Sequence, residues 1–198
     1  MLVEKMRDKT VKRIIFFASG SGTNVENIIK YFHDNKAIEI TLILTNNPNA
    51  GVVRRAEKLM KPLMLFSKRE LLDQSLLRKI ITINPDLIIL AGFLLKIPME
   101  FVKAFPKRII NIHPALLPKF GGKGMYGNKV HQMVKDAGEE ITGITIHRVN
   151  EYFDLGEIVF QASVPVAYED TVEEIADKVH QLEYAHYPRF INKLLFSS

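Results

Sequence analysis

Apolar and polar positions along the chain alternate between two rhythms. Short, nearly unbroken apolar runs occupy residues 13–18 (Ile-Ile-Phe-Phe at their centre), 38–45, 62–66, 86–91 and 108–112. Runs of this length, rich in Ile, Leu and Phe and bounded by turn residues, predict strands buried on both faces. Between them the apolar spacing becomes helical, as at Val25, Ile28, Ile29 and Phe32. Helices are predicted over 23–32, 51–60, from Ser67 to about Asn84, where Pro85 stops the helix, and over 97–105. The pattern then changes. Residues 121–127 are dense in glycine, a loop signature. A helix over 128–137 follows, then two strands, 141–149 and 157–166, joined by a short loop of acids and aromatics. A last helix begins at Asp170 or Thr171 and presents Val172, Ile175, Val179 and Leu182 on one face. Thr23 with Glu26, Ser67 with Glu70 and Thr171 with Glu174 each read as a capping box.

Strands alternating with helices predict an α/β fold: one doubly wound, mostly parallel sheet with helices on both faces. The last two strands form an antiparallel ribbon at its edge. Ligands of such sheets sit beyond the carboxyl ends of the strands. Three stretches of possible chemistry lie at such ends: Ser19-Gly20-Ser21-Gly22, Gly92-Phe93 and Asn111-Ile112-His113. Asn111 and His113 are two apart on a strand and project to one side, and Pro114 ends the ladder. An amide and an imidazole so placed can donate to a developing oxyanion, or the imidazole can move a proton. Taken alone, Asn-x-His reads as a polar strand end meeting solvent; the convergence of three strand ends favours a site. The Gly-x-Gly loop lacks the third glycine of a dinucleotide fingerprint and the Gly-Lys-Ser/Thr of a P-loop. It predicts a phosphate-sized anion site at a helix N-terminus, although a plain tight turn carries the same glycines.

Composition narrows the classes. Hydrophobic residues at 47% and charged residues at 25% suit a globular protein of one domain spanning 1–198, with 1–11 as an arm. The absence of cysteine removes disulfides and thiolate chemistry. His33, His131, His180 and His186 have no ligand-like spacing, so no metal is expected. No run suits a membrane span and no secretory signal is present, which predicts a cytoplasmic protein. The net charge of +5 is scattered, which argues against a nucleic-acid partner. His147 lies on a ribbon strand, either facing the site or held as a structural histidine.

The stretches Ser19-Gly20-Ser21-Gly22-Thr23-Asn24, Leu90-Ala91-Gly92-Phe93, Asn111-Ile112-His113-Pro114-Ala115-Leu116-Leu117-Pro118-Lys119-Phe120 and Asp154-Leu155-Gly156 resemble those of the phosphoribosylglycinamide formyltransferase family. The likeness runs from about Lys12 to Phe190 and implies the Rossmann-like formyltransferase fold. It implies transfer of the formyl group of 10-formyltetrahydrofolate, a co-substrate, to the amine of glycinamide ribonucleotide in purine synthesis, by a monomer or homodimer. By this resemblance Asn111, His113 and Asp154 are catalytic. Gly22, Thr23, Asn24 and Glu183 bind the ribonucleotide. Arg69, Leu94, Leu95, Lys96, Ile97 and Asn111 bind the folate, and residues 151–154 frame the pterin. On its residue type alone Arg69 is equally a solvated charge, and Leu94-Leu95 equally core. The chain departs from the family at Ala115, where many members have Ser, and in its glycine-rich loop. A formyltetrahydrofolate hydrolase and methionyl-tRNA formyltransferase share the Asn, His and Asp. The first carries an amino-terminal regulatory domain and the second a basic carboxyl-terminal domain, neither of which is expected here. A non-catalytic folate or nucleotide-binding module is the alternative of a different class.

Overall fold

Ile14 and Phe16 point to one face of strand β1 (Lys12–Phe17), Ile15 and Phe17 to the other, and all four are fully buried. That two-sided burial sets the architecture: a sheet with a hydrophobic core on each face. The computed structural model describes residues 10–196. Of the expected arm, residues 1–9 lie outside the described residues.

The chain runs β1, α1 (Thr23–Tyr31), β2 (Ile38–Thr45), α2 (Gly51–Lys58), β3 (Leu63–Leu65), α3 (Lys68–Leu72), α4 (Ser75–Ile83), β4 (Leu87–Leu90), α5 (Met99–Ala104), β5 (Ile109–His113), α6 (Asn128–Asp136), β6 (Ile141–Arg148), β7 (Ile158–Pro165) and α7 (Val172–Phe196). Seven strands form one sheet in the order β3-β2-β1-β4-β5-β6-β7. β1 to β5 pair in parallel, whereas β6 and β7 each run antiparallel to the strand before them. The strand order reverses between β1 and β4, which opens a crevice at their carboxyl ends.

On one face Ile14 and Phe16 pack with Ile28 of α1, Val52 of α2 and Val179, Tyr187 and Ile191 of α7. On the other, Ile15 and Phe17 meet Leu71, Leu76, Ile80 and Phe101 from α3, α4 and α5. Each such side chain contributes about 1.5–3 kcal/mol by leaving water. Pro188 lies inside α7 and has no N–H to offer the carbonyl four residues earlier. That carbonyl, on Tyr184, instead accepts from Asn27 of α1 at 3.0 Å, so the proline helps dock α7 on α1.

The helix expected from Ser67 to Asn84 is two helices. α3 opens with the predicted capping box, Ser67 and Glu70 bonding each other's backbone N–H. It stops at Asp73-Gln74, where Gln74 takes a φ of 64°. The Asp73 carboxylate then accepts the Ser75 N–H at 2.9 Å. Short polar side chains compete with helix geometry in this way, and hydrophobic spacing alone does not register it. The Thr171–Glu174 box forms at the start of α7.

Tyr187 is fully buried, and its hydroxyl donates to the Leu90 carbonyl at 3.0 Å, tying α7 to the carboxyl end of β4. Tyr187→Phe leaves that acceptor without its partner. Chemical denaturation of the variant should show a loss of about 1–2 kcal/mol; unchanged stability would mean the bond contributes nothing net.

Candidate active site

A cavity of about 730 Å³ opens at the carboxyl ends of β1, β4 and β5, the size of a small-molecule site. Its rim is fixed by Ser19, just after β1. The Ser19 hydroxyl donates to Asn46 at 2.7 Å and accepts the Leu94 N–H at 3.1 Å, while its own N–H donates to Gly92 at 2.9 Å. One residue thus ties together the loops that follow β1, β2 and β4.

Gly20 to Asn24 form one wall. Helix α1 starts a residue earlier than the expected Thr23–Glu26 box requires. Its N-cap is Gly22, at φ 77°, and no side chain caps it. Gly22 is required there twice over: it occupies the left-handed region, and a Cβ would meet the Val52 Cβ at 2.6 Å. Glu26, released from capping, pairs with Arg55 and with Lys30. The first-turn N–H groups of α1 are left unpaired by helix geometry and border the cavity.

The opposite wall is β5. Asn111 and His113 both line the cavity, as their spacing predicted. Strand β6, running antiparallel, sets His147 directly across from Asn111. His147 Nδ1 lies 3.1 Å from the Arg148 carbonyl oxygen, and its Nε2 lies 3.1 Å from the Asn111 amide nitrogen. His147 is therefore structural and site-facing at once: it orients the Asn111 amide.

Asp154 stands between the two imidazoles, its carboxylate 3.6 Å from His113 Nδ1 and 3.5 Å from His147 Nε2. The Gly122 N–H donates to it at 3.0 Å. Burial alone would raise its pKa, but these histidines and the Gly122 N–H outweigh burial and hold it below the ordinary carboxylate value. For His113 the balance falls the other way. Burial dominates and lowers its pKa, against the raising effects of Asp154 and the Phe120 carbonyl. The Asp154 charge favours the imidazolium, but desolvation overrides it. The His113 Nε2–H donates to the Phe120 carbonyl at 2.8 Å.

Asp154 has a φ of 54°, and its turn is held by Gly156. A Cβ on Gly156 would lie 1.6 Å from the Arg148 carbonyl oxygen. This explains the Asp-x-Gly pattern: the glycine lets the loop press against the end of β6 and carry the carboxylate inward.

The third wall comes from α6 and α7. Glu183 is buried and accepts from Asn24 at 2.8 Å; burial pushes its pKa up to about 7. His131, set aside in the sequence for want of metal-ligand spacing, also lines the cavity. It is buried, its Nδ1 has no hydrogen-bond partner among the described residues, and burial lowers its pKa to about 4. Its place on the buried stripe of α6, beside Val130 and Val134, was the available signal. His180 also faces the cavity, its ring 6.3 Å from that of His131.

Of the residues assigned to folate by resemblance, Leu94, Leu95 and Lys96 line the cavity with Asn111. Ile97 lies behind them in the core, packed with Phe101. The Arg69 side chain is 92% exposed beside Asp73 and does not line the cavity, whereas its neighbour Lys68 does. Among the described residues no group of three or more His, Cys, Asp or Glu could hold a metal. No helix among them is long and apolar enough to cross a membrane.

Residues 12–191 match the family model described as formyl transferase. The chain is 40% identical over 190 residues to a chloroplastic phosphoribosylglycinamide formyltransferase of Arabidopsis thaliana, covering 92% of this chain and 65% of that one. The chain spans less than two thirds of that relative and 61% of a cowpea (Vigna unguiculata) relative of the same name. It is 33% identical to the Bacillus subtilis phosphoribosylglycinamide formyltransferase over 93% of this chain and 95% of that one. The crystal structure of phosphoribosylglycinamide formyltransferase from Bacillus halodurans superimposes with a TM-score of 0.84 at 33% identity, covering 94% and 96% of the two chains.

Gly156→Ala should cost stability by about 1–3 kcal/mol through overpacking and displace Asp154 from the cavity; thermal denaturation and a structure of the variant check both, and wild-type stability with Asp154 in place would refute the close contact. A second expectation concerns pH. The folded His131 imidazole titrates at about 4, whereas the unfolded one titrates near 6.5. Between those values the unfolded chain binds more protons, so the His131 contribution is intact above about 6.5 and declines as pH falls toward 4. In His131→Phe the melting temperature should fall less steeply over that window; parallel curves would refute the assignment.

Proposed function

The chain belongs to the formyl transferase family, and we propose that it transfers the formyl group of 10-formyltetrahydrofolate to the amine of glycinamide ribonucleotide. The observation that carries this reading is the meeting of Asn111, His113 and Asp154 in one cavity. One wall of that cavity is a helix N-terminus suited to a phosphate, and another is the apolar Phe93–Leu95 stretch suited to a pterin. We take the whole chain as a single catalytic domain. Its partners in this reading are two small molecules, with no metal and no nucleic acid, acting as a monomer or homodimer. The Arabidopsis relative is named as chloroplastic; for this chain we propose a cytoplasmic location.

In the proposed mechanism the substrate amine attacks the formyl carbon. The C=O bond opens to an oxyanion, and the nitrogen gains positive charge. The Asn111 amide, oriented by His147, and the His113 Nε2–H donate to the oxyanion. To do so His113 gives up its bond to the Phe120 carbonyl. The proton leaving the amine passes to the His113–Asp154 pair, directly or through a water. The nearby carboxylate stabilises the imidazolium that burial otherwise disfavours. Collapse of the intermediate re-forms the C=O bond and expels the folate N10, which takes up the proton. Gly22, Thr23 and Asn24 hold the phosphate and Glu183 the sugar end. Leu94 to Lys96 flank the folate, with Ile97 supporting from behind. Lys68 and Arg69, side by side, offer cations to the folate carboxylates.

The deciding assay compares glycinamide ribonucleotide with water as formyl acceptor; turnover with water alone would assign a hydrolase, and turnover with neither would leave a binding module. Within the transferase reading, Asp154→Asn keeps the shape and the acceptor for the Gly122 N–H. Single-turnover rates should drop by about two to three orders of magnitude, as for a lost oxyanion donor. Both dissociation constants should stay within a few-fold, because the oxyanion exists only after attack. Wild-type turnover would make Asp154 a bystander, and loss of both affinities would make it a structural support.

A further inference from the structure

The anion loop between β1 and α1 is held from behind by α2, through contacts that the proposed chemistry has not used. The Gly20 carbonyl accepts the Val52 N–H at 3.2 Å, and the Gly22 carbonyl accepts the Glu26 N–H at 2.9 Å. Between them the Ser21 carbonyl accepts Nε–H of Arg55 at 2.9 Å. Three successive carbonyls are therefore engaged away from the cavity. Two of these bonds come from backbone N–H groups within regular structure. The middle one depends on a single side chain.

That middle peptide, Ser21–Gly22, is the easiest to turn over. Glycine follows it at a positive φ and precedes Ser21, and glycine accepts either orientation at small cost. Turned over, the peptide would present its carbonyl oxygen, not the Gly22 N–H, to a bound phosphate. A guanidinium donor makes a stronger bond than a neutral one and resists that rotation. Arg55 is itself held in place. Its Nη1 pairs with Glu26, which is buried and also pairs with Lys30 at 2.7 Å. Arg55 does not line the cavity.

From this arrangement, and resting on the reading of the loop as the phosphate site of glycinamide ribonucleotide, we infer that Arg55 is a positioning residue for that substrate. It fixes the Ser21–Gly22 peptide in the orientation that turns its N–H, and not its carbonyl, toward the phosphate. It acts on substrate binding and leaves the formyl-transfer step alone.

The test compares wild type with Arg55→Met, Arg55→Lys and the double variant Arg55→Met/Glu26→Gln. The double variant removes the buried charge that Arg55→Met would leave with Lys30 as its one partner among the described residues, so its melting temperature separates folding from loop geometry. Each is assayed with glycinamide ribonucleotide and with the same compound lacking its phosphate. For the phosphorylated substrate, KM should rise by about ten-fold or more in Arg55→Met and in the double variant, with kcat within about three-fold and the KM for folate unchanged. Arg55→Lys should recover part of the loss. For the compound without phosphate, the variants should match wild type. The inference is overturned by a KM for the phosphorylated substrate within two-fold of wild type in a folded double variant. It is equally overturned by a loss of the same size with and without the phosphate, or by equal losses for both substrates. Failure of wild type to use glycinamide ribonucleotide at all would instead overturn the functional reading, and this inference with it.

Discussion

A carboxylate with little exposure to water is expensive unless donors surround it, and the arrangement of the site follows from meeting that need at Asp154. His113, His147 and the Gly122 N–H come from three different segments, and each approaches the same two oxygens. The antiparallel course of β6 is what brings His147 there. A sixth parallel strand would reverse the register and carry that imidazole away from Asn111. The glycine-rich loop supplies Gly122, and the turn at Gly156 supplies the reach. Charge neutralisation in a confined space thus binds together a strand, a ribbon and two loops that are remote in sequence.

The same group sets two histidines to different tasks. His147 is fixed by a backbone carbonyl on one nitrogen, and its other nitrogen serves the Asn111 amide. His113 has an acceptor near each nitrogen, the Phe120 carbonyl and Asp154, so both neighbours favour a doubly protonated ring while burial opposes it. A group balanced in that way changes its proton content readily when a ligand alters its surroundings. His131 has no carboxylate among the groups that shift it, and burial holds its pKa at about 4.

Much of the fold was legible because it depends on local apolar runs. β2 was read to the residue, and β1, β4 and β5 to within one or two at each end. The meeting of Asn111 and His113 in the cavity was legible because a strand's alternation is rigid: two residues apart means one face. What escaped depended on partners distant in sequence. Thr23 has the sequence of a cap, yet Glu26 is claimed by Arg55 on another helix, and the helix begins on glycine instead. The break at Asp73-Gln74 rests on a side-chain-to-backbone bond that leaves no mark on apolar spacing. His131 was passed over because it was weighed only as a metal ligand, and its place on the buried stripe of α6 went unused. Arg69 and Lys68 differ by one position around a helix, and only the way α3 packs decides which of them faces inward.

In the proposed reaction, the bond from His113 to the Phe120 carbonyl sets the reference state. In the free protein that N–H already serves a neutral peptide oxygen. When a formyl oxygen takes its place, one carbonyl is exchanged for another of similar strength, and the ground-state complex gains little. Once attack has put a full negative charge on that oxygen, the exchange is no longer even, because charge-assisted hydrogen bonds are roughly twice as strong as neutral ones. The resting contact therefore subtracts most of the donor's value from substrate affinity and leaves it for the transition state. A single internal carbonyl acts here as a competitor that only the reacting species can displace at a profit.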